Sequence, residues 1–478
     1  MPPFVALILW LVCLILLFRF DPAREPRSSL ALWIAVIWMS LLGSKNPSAW
    51  FGGGGSTVQS LEEGSPLDRV IYLLLMGLAI WVLQSRSFKL GPFLMRNAAL
   101  TVFVSFALLS ASWSDFPLTC LKRWFRDMGG YLVILVVLSD PRPREAVGVV
   151  IRRISYLLIP LSIMLDKYFP GIGRSFDPWT GIGFYQGVTT GKNLLGSLAL
   201  ISGLYFVCDT IARWPERKQK RIKRILFVNG AFVAMSVSLL QEAKSTTSQV
   251  CFGIGCMVIA AVQSKKLRRR SMLLKTMIPA MFCLYVVLAF MFNQLGSMAQ
   301  AVGKDPSLTD RTKIWSFLLS MHTNPIIGTG YQSFWLGPRL EMFWSEAGLG
   351  HINEAHNGFL EIYLELGLIG VIIIVMVLIG GYRNICRRLS PFSSIAPLSF
   401  AIWITLLFYS MAEAGFEFGL FWCVFLMTNL AVPRFEERRV RNATIAGHLD
   451  RGKSLGEFSG AVMMDRNLQL DLPWRDRA

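Results

Sequence analysis

The chain reads as an all-α polytopic transmembrane helical bundle, and three observations predict it. Hydrophobic residues make up 53% of the sequence and aromatic ones 12%, and the mean hydropathy is +0.49. Soluble globular domains are less apolar than this. Apolar segments of roughly the 17–25 residues needed to cross a ~30 Å hydrocarbon core recur along the whole length. The basic residues between them gather in alternate loops, an asymmetry that only a membrane makes meaningful.

In chain order the segments lie near 3–19, 28–43, 67–84, 97–113, 128–140, 147–166, 193–212, 225–241, 248–264, 272–292, 364–381, 393–411 and 416–432. The first has no basic n-region and no small-residue cleavage site, so it reads as an anchor rather than a cleaved signal. The fifth is short, which leaves the count at about twelve or thirteen helices. One set of loops reads RFDPAREPR, RSFKLGPFLMR, PRPREAVGVVIRR, RWPERKQKRIKR, KKLRRR, YRNICRR and PRFEERRVR. It holds about 29 Lys and Arg against roughly a dozen in the intervening set, so the positive-inside rule assigns it to the cytoplasm. The opposite set, with the Gly-rich 51–55 turn, the 167–192 loop and the long 293–363 loop, then faces the periplasm, with the N-terminus outside and the C-terminus inside.

The net charge of +18 is thus a property of loops facing a lipid bilayer. It gives no reason to expect nucleic acid as a partner. Residues 1–432 form the transmembrane domain, and 433–478 read as a loosely ordered cytoplasmic tail. The eight cysteines, Cys13, Cys208, Cys283 and Cys423 among them, are scattered through apolar segments without a Cys-x-x-Cys pair. They read as packing residues.

Chemistry is sought where polar residues interrupt this apolar body. The 293–363 loop carries Arg311, the stretch TNPIIGTGYQSFW and then EAHNGFLEIYLELGLIG, with His322, His351 and His356; His448 sits in the tail. A helix is expected from about Thr309, capped by Thr309 or Asp310 and ended by Asn324-Pro325. Arg311 in its first turn opposes the helix dipole, so its partner should be an anion, either a protein carboxylate or a ligand phosphate. A neutral histidine at the membrane boundary can take a proton from a hydroxyl, which makes His356 a candidate general base; anchoring of the loop by a hydrogen-bonded ring is the alternative. No metal is expected, because His351, His356 and Glu354 show no i, i+4 pair or closed ligand set. Glu361 and Glu365 lie one helical turn apart, which does not place two carboxylates across a sugar. The glycines of the GLIG sequence suit close helix packing.

Two further outward pieces carry cations. GRSFDPWTGIGFYQGVTTGKNLLG, 173–196, brings glycines and Lys192 to a helix mouth. It lacks phosphate-loop spacing and faces away from cytoplasmic ATP, but backbone N–H groups beside Lys192 suit an anion. A snorkelling lysine is the alternative. QEAKSTTSQ, 241–249, sets Lys244 among hydroxyl residues at the membrane surface, either for a phosphate head group or simply solvated.

Together these residues resemble the O-antigen ligase and polysaccharide polymerase family of bacterial inner-membrane glycosyltransferases, over a core from about residue 66 to 432. The family's His-Asn, nine residues, G-x-x-G pattern is met by His356, Asn357, GFLEIYLEL and Gly367 to Gly370. Its R-x3-W and P-x2-G-x-G patterns are met by Arg311, Trp315, Pro325, Gly328 and Gly330, and its K-N-x-x-G loop by Lys192, Asn193 and Gly196. The resemblance implies a GT-C-type fold whose large periplasmic loop contains short helices. It also implies metal-independent, inverting glycosyl transfer from undecaprenyl diphosphate at the periplasmic face, with no cofactor. On this resemblance His356 deprotonates or orients the acceptor hydroxyl and Arg311 binds the carrier diphosphate. Lys244, Lys192, Asn193, Asn357, Gly328, Gly330 and Trp315 are its expected substrate-binding residues.

Ligases of the family place an arginine where this chain has Lys244. A lysine offers a point charge rather than a planar fork, so the resemblance leans towards polymerisation of lipid-linked repeat units of exopolysaccharide or O-antigen. Chain-length regulator and flippase proteins are the implied partners. Ligation of glycan to lipid A core or protein hydroxyls is the alternative, and a membrane transporter the rival from another class. A transporter should carry its charges inside broken helices, whereas these gather outside.

Overall fold

The computed structural model describes residues 2–21, 29–51, 65–176, 183–270, 272–276, 279–280, 282–283, 309–346, 352–389 and 393–432. The predicted 272–292 span, His351 and the 433–478 tail with His448 lie largely or wholly outside them. Met1–Ala431 cluster as one compact unit.

The unit is helical: α1 (Pro3–Phe20), α2 (Leu32–Leu42), α3 (Pro47–Trp50), α4 (Pro66–Ser85), α5 (Leu90–Arg96), α6 (Ala98–Leu109), α7 (Pro117–Leu138), α8 (Pro143–Tyr168), α9 (Pro170–Gly173), α10 (Lys192–Arg213), α11 (Lys220–Glu242), α12 (Thr246–Gln263), α13 (Lys265–Arg269), α14 (Thr309–Ser320), α15 (Gly337–Glu346), α16 (Gly358–Leu389), α17 (Ala396–Ser410) and α18 (Leu420–Asn429). Among the described residues the only sheet is a two-stranded antiparallel ribbon, β1 (Arg174–Phe176) with β2 (Gly183–Tyr185).

Seven described helices (α1, α4, α8, α10, α11, α12 and α16) are long and apolar enough to cross a membrane. An eighth crossing arises if α5 and the Ala98–Ser112 segment, bent by 97°, make one span. The bend falls at buried Asn97, whose side chain donates to the carbonyl of Ala431 (3.0 Å) and accepts from its N–H (2.9 Å). An interior backbone end is thereby satisfied where water is absent. Three other predicted segments are α2, α17 and α18, apolar but of only 10–17 residues. The expected 128–140 segment is the inner part of α7, whose first turns carry Lys122, Arg123, Arg126 and Asp127.

Every residue of α17 and of α18 is buried, and α10 is buried from Leu195 to Phe206; these three form the centre. α10 packs on α11 and α12, α12 on α17, α2 on α8, and α16 on α6 and α17. α1 has one buried residue, Ala6, and presents Phe4, Leu9 and Ile15 outward. An apolar exterior of this kind suits acyl chains rather than water.

Candidate functional site

The site is built on a backbone clasp between two motifs. Residues 325–330 lie along 364–369: the N–H groups of Thr329 and Gly330 donate to the carbonyls of Leu364 (3.1 Å) and Glu365 (2.8 Å), and those of Leu368 and Ile369 to Pro325 (2.9 Å) and Ile326 (3.2 Å). Helix α16 is broken there, at Gly367 with φ 64° and ψ −165°. A Cβ on Gly367 would lie 2.2 Å from the Ile326 carbonyl carbon, and one on Gly328, also at positive φ, 2.4 Å from that of Glu365. For Gly367 the expectation of a helix-packing glycine is therefore corrected. Gly367 and Gly328 permit backbone-to-backbone contact in a conformation that L side chains rarely adopt.

Residues 113–116 brace the clasp from α6. Trp113 donates to the Ile327 carbonyl (3.2 Å), Ser114 to Ser333 (2.9 Å), and Ser114 fills the space that a Cβ on Gly330 would need. Above it, Ile314, Leu318, Phe334, Trp335, Leu340, Phe343, Ala355 and Leu364 make a small core shared by α14, α15 and the start of α16.

That core fixes His356. Trp315 donates its indole N–H to the Ala355 carbonyl (2.9 Å). The Ala355 N–H donates to Glu361, which also accepts from Trp335 (2.9 Å). Asn357 caps α16 by accepting from the N–H groups of Phe359 (3.0 Å) and Leu360 (3.2 Å), as an N-cap amide does. His356 itself has φ +50°, a costly conformation held by bonds on both sides. Trp315, Asn357, Gly328 and Gly330 thus spend their visible interactions on the shape of this loop.

The anion that Arg311 was expected to find is Glu413, in the turn between α17 and α18. Glu413 Oε1 accepts from Arg311 (3.1 Å), and its Oε2 accepts from Asn193 (2.7 Å) and faces His356 Nδ1 at 3.2 Å. Its side chain is 4% exposed. Glu354 meets the same His356 nitrogen at 3.0 Å. One buried carboxylate therefore draws together Arg311, Asn193 and His356, residues separated widely in sequence.

These carboxylates favour the charged form of His356, so the neutral ring that a general base needs is its minor form near neutral pH. Burial disfavours the charged ring, but the hydrogen bonds and charges of Glu354 and Glu413 outweigh it and raise the His356 pKa to about 10. Glu413 is raised by burial and pulled back by its bond to His356 and the charge of Arg311. In the neutral ring the proton belongs on Nδ1, between the carboxylates, leaving the lone pair on Nε2.

Glu354, His356 and Glu413 have ligand atoms within 4.8 Å of one another, so the expectation that no closed ligand set forms is revised. Both oxygens of Glu413 already accept internal donors, Arg311 on one and Asn193 on the other. A cation there has to displace them.

Lys192 opens α10 with its ammonium 5.7 Å from the Phe184 ring centroid. Next to it, Asn193 also accepts from Tyr409 through its carbonyl (3.2 Å). A Cβ on Gly196 would meet Ser248 Oγ at 2.5 Å and Ser245 Cβ at 3.0 Å. This glycine lets the first turn of α12, immediately after Lys244, close on the mouth of α10. Lys244 is exposed at φ +51°, and among the described residues its ammonium makes no hydrogen bond. His322 is exposed and apart from the cluster.

Residues 230–375 match the family model described as O-antigen ligase, a span containing Lys244, Arg311, the clasp and His356. Over this span the chain is similar to the O-antigen ligase and polysaccharide polymerase family. Among its relatives is the exopolysaccharide production protein ExoQ of Rhizobium meliloti (strain 1021), 25% identical over 296 residues, which are 60% of this chain and 65% of the relative. The match thus spans just under two thirds of that relative's length. Asn193 and Glu413 lie outside the family-model match.

Proposed function

We propose that this protein polymerises lipid-linked oligosaccharide repeat units of exopolysaccharide or O-antigen, by inverting, metal-independent transfer from undecaprenyl diphosphate at the periplasmic face of the inner membrane. The observation that carries the reading is the convergence of Arg311, Asn193 and His356 on Glu413. It sets a guanidinium suited to a diphosphate beside a ring suited to a hydroxyl.

In the proposed step the acceptor hydroxyl gives its proton to Nε2 of neutral His356, while Glu354 and Glu413 hold Nδ1–H. The acceptor oxygen bonds to the anomeric carbon from the face opposite the carrier. The bond from that carbon to the phosphate oxygen breaks, and the electron pair leaves on the diphosphate, where Arg311, with Lys192 and Lys244 nearby, offsets the charge. Arg311 bridges the two halves, because the cation that receives the diphosphate rests on the carboxylate that orients the histidine.

The name of the exopolysaccharide relative and the lysine at 244 favour polymerisation. The family description, O-antigen ligase, supports the second reading, transfer to lipid A core or protein hydroxyls. Chain-length regulator and flippase proteins fit as partners of the first. The test is His356→Ala and Arg311→Ala, each in purified protein of normal elution, assayed for chain growth on lipid-linked repeats. Each is expected to lose at least about a hundredfold in rate; undiminished growth in both would overturn the assignment. Lipid A core offered as sole acceptor yields no product from a polymerase and product from a ligase.

A further inference from the structure

At its C-terminal end, away from His356, α16 borders a basic crevice that the proposed transfer does not use. About 440 Å³ of open space lies between the bend at Asn97, the last turns of α16 and the end of α18, within the roughly 300–1,000 Å³ of small-molecule sites. Its frame is made of polar contacts. Asn97 holds both backbone atoms of Ala431, Asn384 donates to the Asn429 carbonyl (3.0 Å), and Arg388 donates to the carbonyls of Thr428 and Leu430. These bonds satisfy the carbonyls left open where α18 ends and tie the three elements together.

Three other arginines, Arg96, Arg383 and Arg387, line the opening; all are exposed, and its described lining residues include no acid. Arg383 and Arg387 stand one turn apart on α16, so they share a face. Two adjacent glycines mark where the helix closes and where it stays open. A Cβ on Gly381 would lie 3.2 Å from the Phe425 ring, whereas one on Gly380 would meet nothing within 4 Å. Towards the middle of α16 the lining continues with Met376 and Ile379, both exposed. Asn429 also lines the crevice; it is 1% exposed, and its Oδ1 accepts no hydrogen bond among the described residues. A buried acceptor left open calls for a donor from a ligand.

The matching ligand joins an anion for the arginines, a hydroxyl for Asn429 and apolar chains for the open face of α16. The loops that bear the arginines, RSFKLGPFLMR and YRNICRR, belong to the basic set that the positive-inside rule assigns to the cytoplasm. Anionic phospholipids of that leaflet attract basic residues at the membrane surface and enter basic pockets between helices. We propose that this crevice binds an anionic, glycerol-headed phospholipid, with its phosphate among Arg96, Arg383 and Arg387, its headgroup hydroxyls towards Asn429 and its acyl chains along Met376 and Ile379. The inference stands apart from the glycan-transfer reading, whose residues lie elsewhere.

The test follows thermal unfolding of the full chain, purified in detergent, as dioleoyl phosphatidylglycerol or dioleoyl phosphatidylcholine is added. Wild type is expected to gain stability saturably with phosphatidylglycerol and not with phosphatidylcholine, and glycerol 3-phosphate, which has no acyl chains, should give no such gain. An arginine near an anionic lipid surface contributes about fivefold in affinity. Replacing both Arg383→Gln and Arg387→Gln should therefore raise the half-saturating phosphatidylglycerol concentration at least about tenfold. Gly380→Leu fills the opening without removing a charge; it should melt like wild type without lipid and lose the saturable gain. Equal gains from the two lipids in wild type, or a wild-type phosphatidylglycerol response in Gly380→Leu, would overturn the site. A gain from glycerol 3-phosphate equal to that from phosphatidylglycerol would overturn a lipid as its occupant.

Discussion

Replacing Glu354 by Gln removes one of the two carboxylates on His356 Nδ1 and leaves Glu413, Arg311 and Asn193 in place. With the histidine raised to about 10, about one site in a thousand carries the neutral ring at pH 7. If His356 takes the acceptor proton, the rate should climb with pH on a limb centred near 10. A hydrogen bond to a charged group contributes about 1.5–3 kcal/mol, or roughly one to two pKa units. The Glu354 side chain is 34% exposed, and solvent screening favours the lower figure. The limb should therefore fall by about one unit, and the neutral fraction at pH 7 should rise about tenfold. A weaker base returns part of that gain, so the net increase in neutral-pH rate lies between none and about tenfold. The assay is initial rate of chain growth from pH 6.5 to 10.5 in wild type and Glu354→Gln. A flat profile in wild type, or a limb that moves upward in the variant, would refute the assignment of His356 as base.

Gly367→Ala should lower the thermal stability of the purified protein severely, because the conformation alone costs of order 1–3 kcal/mol and the new methyl meets the Ile326 backbone. Gly380→Ala in the same helix meets nothing within 4 Å and should melt like wild type; similar losses in both would remove the clasp as the reason. Lys244→Arg should leave the protein unable to use lipid A core if it polymerises as proposed, since a guanidinium on the diphosphate side does not create an acceptor site. Ligation by that variant would show that residue 244 itself sets the acceptor class.

The residue patterns that led to Arg311 and His356 were legible because both stand in a polar interruption of an apolar chain. What they bind was not. Glu413 lies 57 positions beyond His356, in a break of a few residues between two apolar segments, and only the packing of α17 against α10 and α12 brings it to Asn193 and His356. A signal was present, since a lone acid between two membrane segments is a candidate functional group by default. The glycine patterns were visible as spacing, while their purpose was not: two backbones touching edge to edge leave no periodicity to read. Trp315 entered through the R-x3-W pattern of the resemblance, and its N–H holds the carbonyl just before His356. The span near 128–140 looked short because α7 enters through charged turns that face the site.

The central claim is that Glu413 organises Arg311, Asn193 and His356 into one glycan-transfer site, and Glu413→Gln tests it most directly. The substitution keeps the shape and one acceptor oxygen, turns the other into an NH2 donor, and deletes the charge that holds Arg311 and orients His356. With purified protein and lipid-linked repeats at fixed pH, the account predicts intact folding and a fall in chain-growth rate of about 10²-fold or more. Chain growth at the wild-type rate would contradict it.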